Sequence, residues 1–178
     1  MNLAVRLAHA DESAALESII RACGRDMEAR WSLRHWAGPY PFDLVRQDAR
    51  AGRLYAVERD GRVIGTFSVN LVPDDYIDLT MYREPEAPAA YLHRLAVLPV
   101  HQGGGVGSWC VTQVERIARE HGARYLRLET YAPNVAATRL YLRLGYEHRG
   151  GLVLHTGIPE LPRVELECLE KHLATDAA

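Results

Sequence analysis

The chain has 178 residues, 48% of them hydrophobic and 25% charged. That is the balance of a folded globular protein, and it excludes a disordered chain, a fibrous repeat and a disulfide-stapled miniprotein. Lys and Arg number 21 against 23 Asp and Glu, a net charge of -2, without the basic excess that nucleic-acid binding demands.

Apolar runs are broken by charge well short of the roughly 20 residues that span a bilayer. The start of the chain lacks the basic opening, continuous apolar core and small-residue site of a secretory signal. Cys23, Cys110 and Cys168 are widely spaced and form no CxxC. They read as buried thiols of a cytoplasmic protein.

Leu3, Val5 and Leu7 alternate as in a strand. Asp11 is placed to cap a helix whose Leu16, Ile19, Ile20 and Cys23 make one apolar stripe. From Arg25 to Ala51 the pattern loosens into an aromatic-rich stretch with a short helix in PFDLVRQDARAG. RLYAVERDGRVIGTFSVNLV reads as a hairpin turning at Asp60-Gly61. AAYLHRLAVLP is a strand apolar on both faces and therefore central; period two places His93 on one face with Tyr91, Leu95 and Val97. GVGSWCVTQVERIAREHG is the clearest helix, with Val106, Cys110, Val114, Ile117, Ala118 and His121 on its buried stripe. ARYLRLET is a strand, and PNVAATRLYLRLG is a helix opening at Pro133 and closing at Gly145. YEHRGGLVLH and LPRVELECLE supply two more strands. The order implies one parallel pair in a mostly antiparallel sheet, an α+β (mixed α/β) class in one domain over residues 1–178.

The most informative segment is HRLAVLPVHQGGGVGSWCV. Four glycines in the five positions from Gly103 to Gly107 join a central strand to a helix start. Such a loop brings backbone N–H groups against a ligand, and the helix end favours an anion, above all a phosphate. A nucleoside-triphosphate loop would need GxxxxGK[ST], and this loop has no Lys. A dinucleotide fingerprint read from Gly103 fails at Ser108, and read from Gly105 it fails at Cys110. A second mononucleotide-binding half is also missing.

The [Q/R]xxGxG/A pattern at Gln102 to Gly107, together with Asn134-Val-Ala-Ala-Thr-Arg-Leu-Tyr141 and the following LRLGY, resembles the two signatures of the GNAT superfamily of N-acetyltransferases. The resemblance is strongest from Tyr91 to Gly150. It implies a sheet of about seven strands with one splayed parallel pair, flanked by about four helices, and acetyl-CoA as co-substrate with no metal. It implies coenzyme contacts from the backbone of Leu95, Ala96 and Val97, from the loop Gln102, Gly103, Gly104, Gly105, Val106, Gly107 and Ser108, and from Asn134 and Tyr141. Tyr141 would protonate the departing thiolate. The base would be His93, with Glu129 as the second candidate and a water chain as the alternative to both.

Trp31, Trp36, Tyr40 and Glu129 are the candidates for the acceptor side. The acidic run from Pro73 to Pro88 would overhang the same cleft and suits a cationic amine. The resulting expectation is direct acetyl transfer to a primary amine of a small molecule, without nucleic acid or membrane and with a homodimer as a further implication of the resemblance. The alternatives are a non-catalytic acyl-CoA-binding module and acetylation of protein or peptide N-termini.

Overall fold

A computed structural model describes residues 2–36 and 40–173; residues 37–39 of the aromatic-rich stretch lie outside this description. Seven strands form one sheet: β1 (Leu3–Leu7), β2 (Leu54–Arg59), β3 (Arg62–Asn70), β4 (Ala89–Val97), β5 (Tyr125–Tyr131), β6 (Glu147–Ile158) and β7 (Leu161–His172). Their spatial order is β1-β2-β3-β4-β5-β7-β6, and only β4 and β5 are parallel. Helices α1 (Ser13–Trp31) and α2 (Asp43–Arg50) pack on one face. Helices α3 (Val106–Glu120) and α4 (Val135–Arg143) pack on the other.

Each face has its own core. Val57, Phe67, Val69, Leu92, Val97, Leu126 and Leu128 meet Cys110, Val111, Val114 and Tyr141 on the α3/α4 side. Leu16, Ile20, Cys23, Val45, Leu54 and Ala96 form the α1/α2 side. A fully buried Leu such as Leu126 contributes about 1.5–3 kcal/mol, so these stripes decide which way each strand faces.

Four local expectations change. Asp11 does not cap α1: the helix follows a short 3-10 turn, Ala10–Glu12, and has no side-chain cap, while the Glu12 carboxylate closes that turn by accepting the His9 N–H at 2.8 Å and pairs with Arg6 at 2.7 Å. Helix α4 opens at Asn134, not Pro133, because the Asn134 side chain accepts the Ala137 N–H at 3.3 Å. His121 lies beyond the last turn of α3 and is exposed, its ring against the Ile117 carbonyl.

The fourth change concerns β4 itself. Thr66 pairs with Ala96 but Ser68 pairs with His93, so one extra residue bulges out of β4. The bulge flips the alternation. Leu95 and Val97 go to the α3/α4 core, whereas Tyr91 and His93 look to the other face. His93 therefore does not share a face with Leu95 and Val97.

Candidate active site

β4 and β5 pair only from Ala89–Tyr125 to Leu92–Leu128. Beyond that point β4 pairs with β3 alone and β5 with β7 alone, so the two strands part and a cleft opens. The Leu98 N–H donates to the Ile64 carbonyl on β3 at 2.8 Å. By strand alternation, the N–H and carbonyl of Val97 then point the other way, into the opening. The Val97 carbonyl accepts from the Gln102 side chain at 2.8 Å and from the Cys23 thiol at 3.1 Å, which braces the strand end beside its N–H.

From this end the chain runs into the glycine loop. Gly103, Gly104 and Gly105 stand at φ of 81°, 55° and 83°, the left-handed region that only glycine enters without strain. A Cβ on any of the three would meet nothing within 4 Å, so the loop's surface is an open cradle. Gly105 precedes α3, which has no side-chain cap. The first N–H groups of the helix, through Gly107 and Ser108, have no partner inside it and carry the positive end of its dipole. Val106 is buried and anchors the loop. Gly107 faces α4, where a Cβ would meet the Leu140 side chain at 3.4 Å, an ordinary contact. The donor set suits a pyrophosphate.

Tyr141 projects from α4 into the core between α3 and α4, packed edge-on against Tyr146 at 5.4 Å between ring centroids. Burial, and then Cys110, push its hydroxyl above the usual range, so it keeps its proton at neutral pH. Asn134 caps α4 through its oxygen and turns its amide toward the Met27 sulfur of α1 at 3.8 Å. It thus bridges the two helices that flank the cleft.

The opposite wall is made of side chains. Glu129 lies one step past the last paired residue of β5, level with His93 on β4. Burial, and then repulsion from Asp74, push the Glu129 carboxyl up to about 7, with the Tyr82 hydroxyl 3.4 Å away opposing the shift. His93 is buried, with Nδ1 4.0 Å from the Asp74 carboxylate. Burial first and then Arg94 lower its pKa to about 4, so its ring is neutral near pH 7.

Two residues further along β5, the Tyr131 ring packs against His35 at 4.4 Å between centroids, tilted by 34°, and His35 contacts Trp36 at 5.2 Å. Tyr40 continues the row, 6.4 Å from Trp36. This loop lies directly on α1 because Gly24 has no side chain: a Cβ there would fall 2.4 Å from the Trp36 carbonyl oxygen. Trp31 stands apart, 45% exposed under the Arg30 guanidinium.

Only part of the acidic run from Pro73 to Pro88 reaches the site. Asp74 faces His93. Asp78 caps a local turn at Thr80, and Glu84 binds Arg124 and the Tyr125 hydroxyl. The run is fastened by Arg127, fully buried on β5. Its guanidinium donates to the carbonyls of Glu84 at 2.6 Å and Pro85 at 3.4 Å, pairs with Glu170 at 3.1 Å and lies 4.3 Å from the Tyr82 ring centroid. Sequence reading passed over Arg127, His35 and Tyr131. An Arg amid the apolar alternation of YLRLETY was the one available signal for the first; nothing local marks the other two.

Residues 16–146 match the Acetyltransferase (GNAT) family. The chain belongs to this family. The fold agrees with an acetyltransferase of the GNAT family from Streptococcus agalactiae at a TM-score of 0.77, with 19% identity over 97% of this chain and 96% of that one. It also agrees with yncA of Salmonella typhimurium, solved with its cofactor acetyl-CoA, at a TM-score of 0.68, with 19% identity over 100% of this chain and 98% of that one. A third likeness is the ribosomal-protein-S18-alanine N-acetyltransferase of Escherichia coli, at a TM-score of 0.69, with 16% identity over 99% of this chain and 97% of that one. No curated protein matches the sequence.

As a GNAT enzyme the protein is an acetyl-CoA-dependent acyltransferase. The glycine cradle, the uncapped start of α3 and the parted strands fit that co-substrate on their own chemistry. Among the described residues no helix is long and apolar enough to cross a membrane.

Proposed function

We propose that this GNAT enzyme acetylates the primary amine of a small molecule, directly from acetyl-CoA and with both substrates bound together. The observation that carries the reading is the grouping of Glu129, Asp74, Tyr82, His35, Trp36 and Tyr131 at the point where β4 and β5 part. Two carboxylates suit an ammonium group, and aromatic faces suit its carbon frame. The run from Pro73 to Pro88, fastened by Arg127, favours a small acceptor over a long peptide.

Acetyl-CoA supplies the acetyl group as a thioester. The loop N–H groups of Gly103, Gly104, Gly105, Gly107 and Ser108 hold the pyrophosphate, the Val106 N–H being engaged by the Gly103 carbonyl at 3.3 Å, while Asn134 and the β4 backbone at Leu95, Ala96 and Val97 hold the arm and the carbonyl. Glu129, with its carboxyl near 7, takes the proton that makes the amine nucleophilic. His93, neutral and buried, orients the acceptor through its ring rather than acting as the base. Tyr141 returns a proton to the departing sulfur. The three described cysteines are unpaired and buried, which suits a reducing cytoplasm.

The name of the Escherichia coli protein gives an alanine of ribosomal protein S18 as its acceptor, so a protein or peptide acceptor is the competing reading. Thiol release from acetyl-CoA, measured with alkyl and aralkyl primary amines and with neutral and basic peptides, separates the two. Turnover of amines but not peptides supports the proposal; the reverse replaces it. Acetyl-CoA raising the unfolding temperature while no acceptor releases thiol would indicate a non-catalytic binding module.

A further inference from the structure

The bulge in β4 contains Arg94 at φ 54°. A left-handed non-glycine residue inside a strand is strained, and it persists only where its surroundings enforce it. Here they do. The Arg94 side chain, 9% exposed, crosses to α2 and pairs with Asp48, itself 4% exposed. The same guanidinium nitrogen lies 3.3 Å from the Ser68 hydroxyl on β3. The other Asp48 oxygen holds Arg53 at 2.9 Å. Burial opposes the Arg94 charge, but Tyr40 and Asp48 outweigh it. Asp48 is thus a buried carboxylate between two guanidinium groups, and α2 is tied to the one strained residue of the central strand.

The register shows what that strain achieves. Without the bulge, the Ser68–His93 pairing would continue as Thr66–Leu95 and Ile64–Val97. The Val97 N–H would then enter the β3 ladder. With the bulge, Leu98 takes the Ile64 carbonyl and Val97 turns to the opening.

We propose that the Asp48–Arg94 pair is a positioning device for acyl transfer. It holds the left-handed bulge, and the bulge aims the Leu95–Val97 backbone at the thioester carbonyl. Tyr40, on the acceptor wall, touches the same guanidinium, so acceptor side and acyl side share one support. The proposal rests on the acetyl-CoA reading given above.

The test uses the whole protein with acetyl-CoA carrying a ¹³C carbonyl, so that its infrared stretch can be read in the bound state. The wild-type stretch moves to lower frequency than in water. Arg94→Ala and Asp48→Asn, saturated with acetyl-CoA, lose half or more of that displacement. Arg94→Gly keeps the displacement, because glycine adopts φ 54° freely. A side chain needed only for its charge or packing would leave Gly no better than Ala. The proposal falls if Arg94→Ala or Asp48→Asn retains the full displacement, or if Arg94→Gly loses it. Should Arg94→Ala fail to fold, Asp48→Asn and Arg94→Gly still decide. Wild-type protein that binds neither CoA nor acetyl-CoA would refute the co-substrate assignment, and this proposal with it.

Discussion

The two sides of the cleft are made of different material. On the side proposed for the coenzyme the groups are mostly backbone N–H groups, placed by three left-handed glycines and a helix start within a dozen residues of one another. On the side proposed for the acceptor they are side chains from the α1–α2 loop, the Asp74–Tyr82 stretch, β4 and β5, brought together by contacts between residues 46 to 96 positions apart. A backbone cradle depends on φ angles and is indifferent to most side-chain changes around it. A wall of side chains can be altered without disturbing coenzyme binding, which is how one fold serves many acceptors.

The comparison breaks most visibly at Arg127. Arg127→Ala leaves Glu170 buried with less compensation and should cost about 3–5 kcal/mol, lowering the unfolding midpoint by roughly 10 °C. The folded remainder should still bind acetyl-CoA with wild-type affinity in calorimetry. A matching loss of affinity would mean that the two sides are not separable.

The chemistry comes next. Tyr141→Phe should lower kcat about 10²-fold with little change in the Kd for acetyl-CoA. Glu129→Gln should do the same and also remove a pH dependence. With its carboxyl near 7, Glu129 is protonated below neutrality, so wild-type kcat/KM should rise through about pH 7 and level off above it. A profile unchanged in the variant would exclude Glu129 as the base.

A paired substitution sharpens the contrast on the coenzyme side. Gly104 and Gly52 both adopt positive φ, 55° and 65°, and neither has a neighbour within 4 Å of a Cβ. Substitution by Ala should cost each about 1 kcal/mol or slightly more. Only Gly104→Ala should also weaken acetyl-CoA binding, by about tenfold. Equal affinities would remove the loop from the site.

The smallest effect is on stability. The folded state raises the Glu129 carboxyl from its ordinary 4.5 to about 7, so it binds the proton more tightly than the unfolded chain does. Its contribution to stability therefore declines as pH rises from about 4.5 to 7 and stays low above that. Glu129→Gln should raise the unfolding midpoint at pH 8 by a few degrees and change it less at pH 4. A variant less stable at pH 8 would contradict the burial argument.

Much of this was legible beforehand because it is local. Apolar patterning marked the strands and the helices α1, α3 and α4, though α2 and the end of α1 lie where that pattern loosens; the turn at Asp60-Gly61 joined β2 to β3, and the glycine run marked the left-handed loop ahead of α3. The Gln102–Gly107 and Asn134–Tyr141 spacings sufficed for the family. Caps were less legible: Asp11 has the chemistry of a cap, yet α1 follows a short turn closed by Glu12 and has no side-chain cap of its own.

The remainder belonged to tertiary structure alone. A one-residue bulge leaves no mark on composition, yet it moved His93 to the other face from Val97 and put Arg94 into a strained conformation held by Asp48, 46 residues away. Likewise His35 meets Tyr131, and Arg127 finds both Glu170 and the carbonyls of the Glu84–Pro85 turn, only once sheet register has set which side chains share a face. Local preferences act over a few residues and are written in the chain. Register is settled by packing across the whole sheet, and the acceptor wall depends on it.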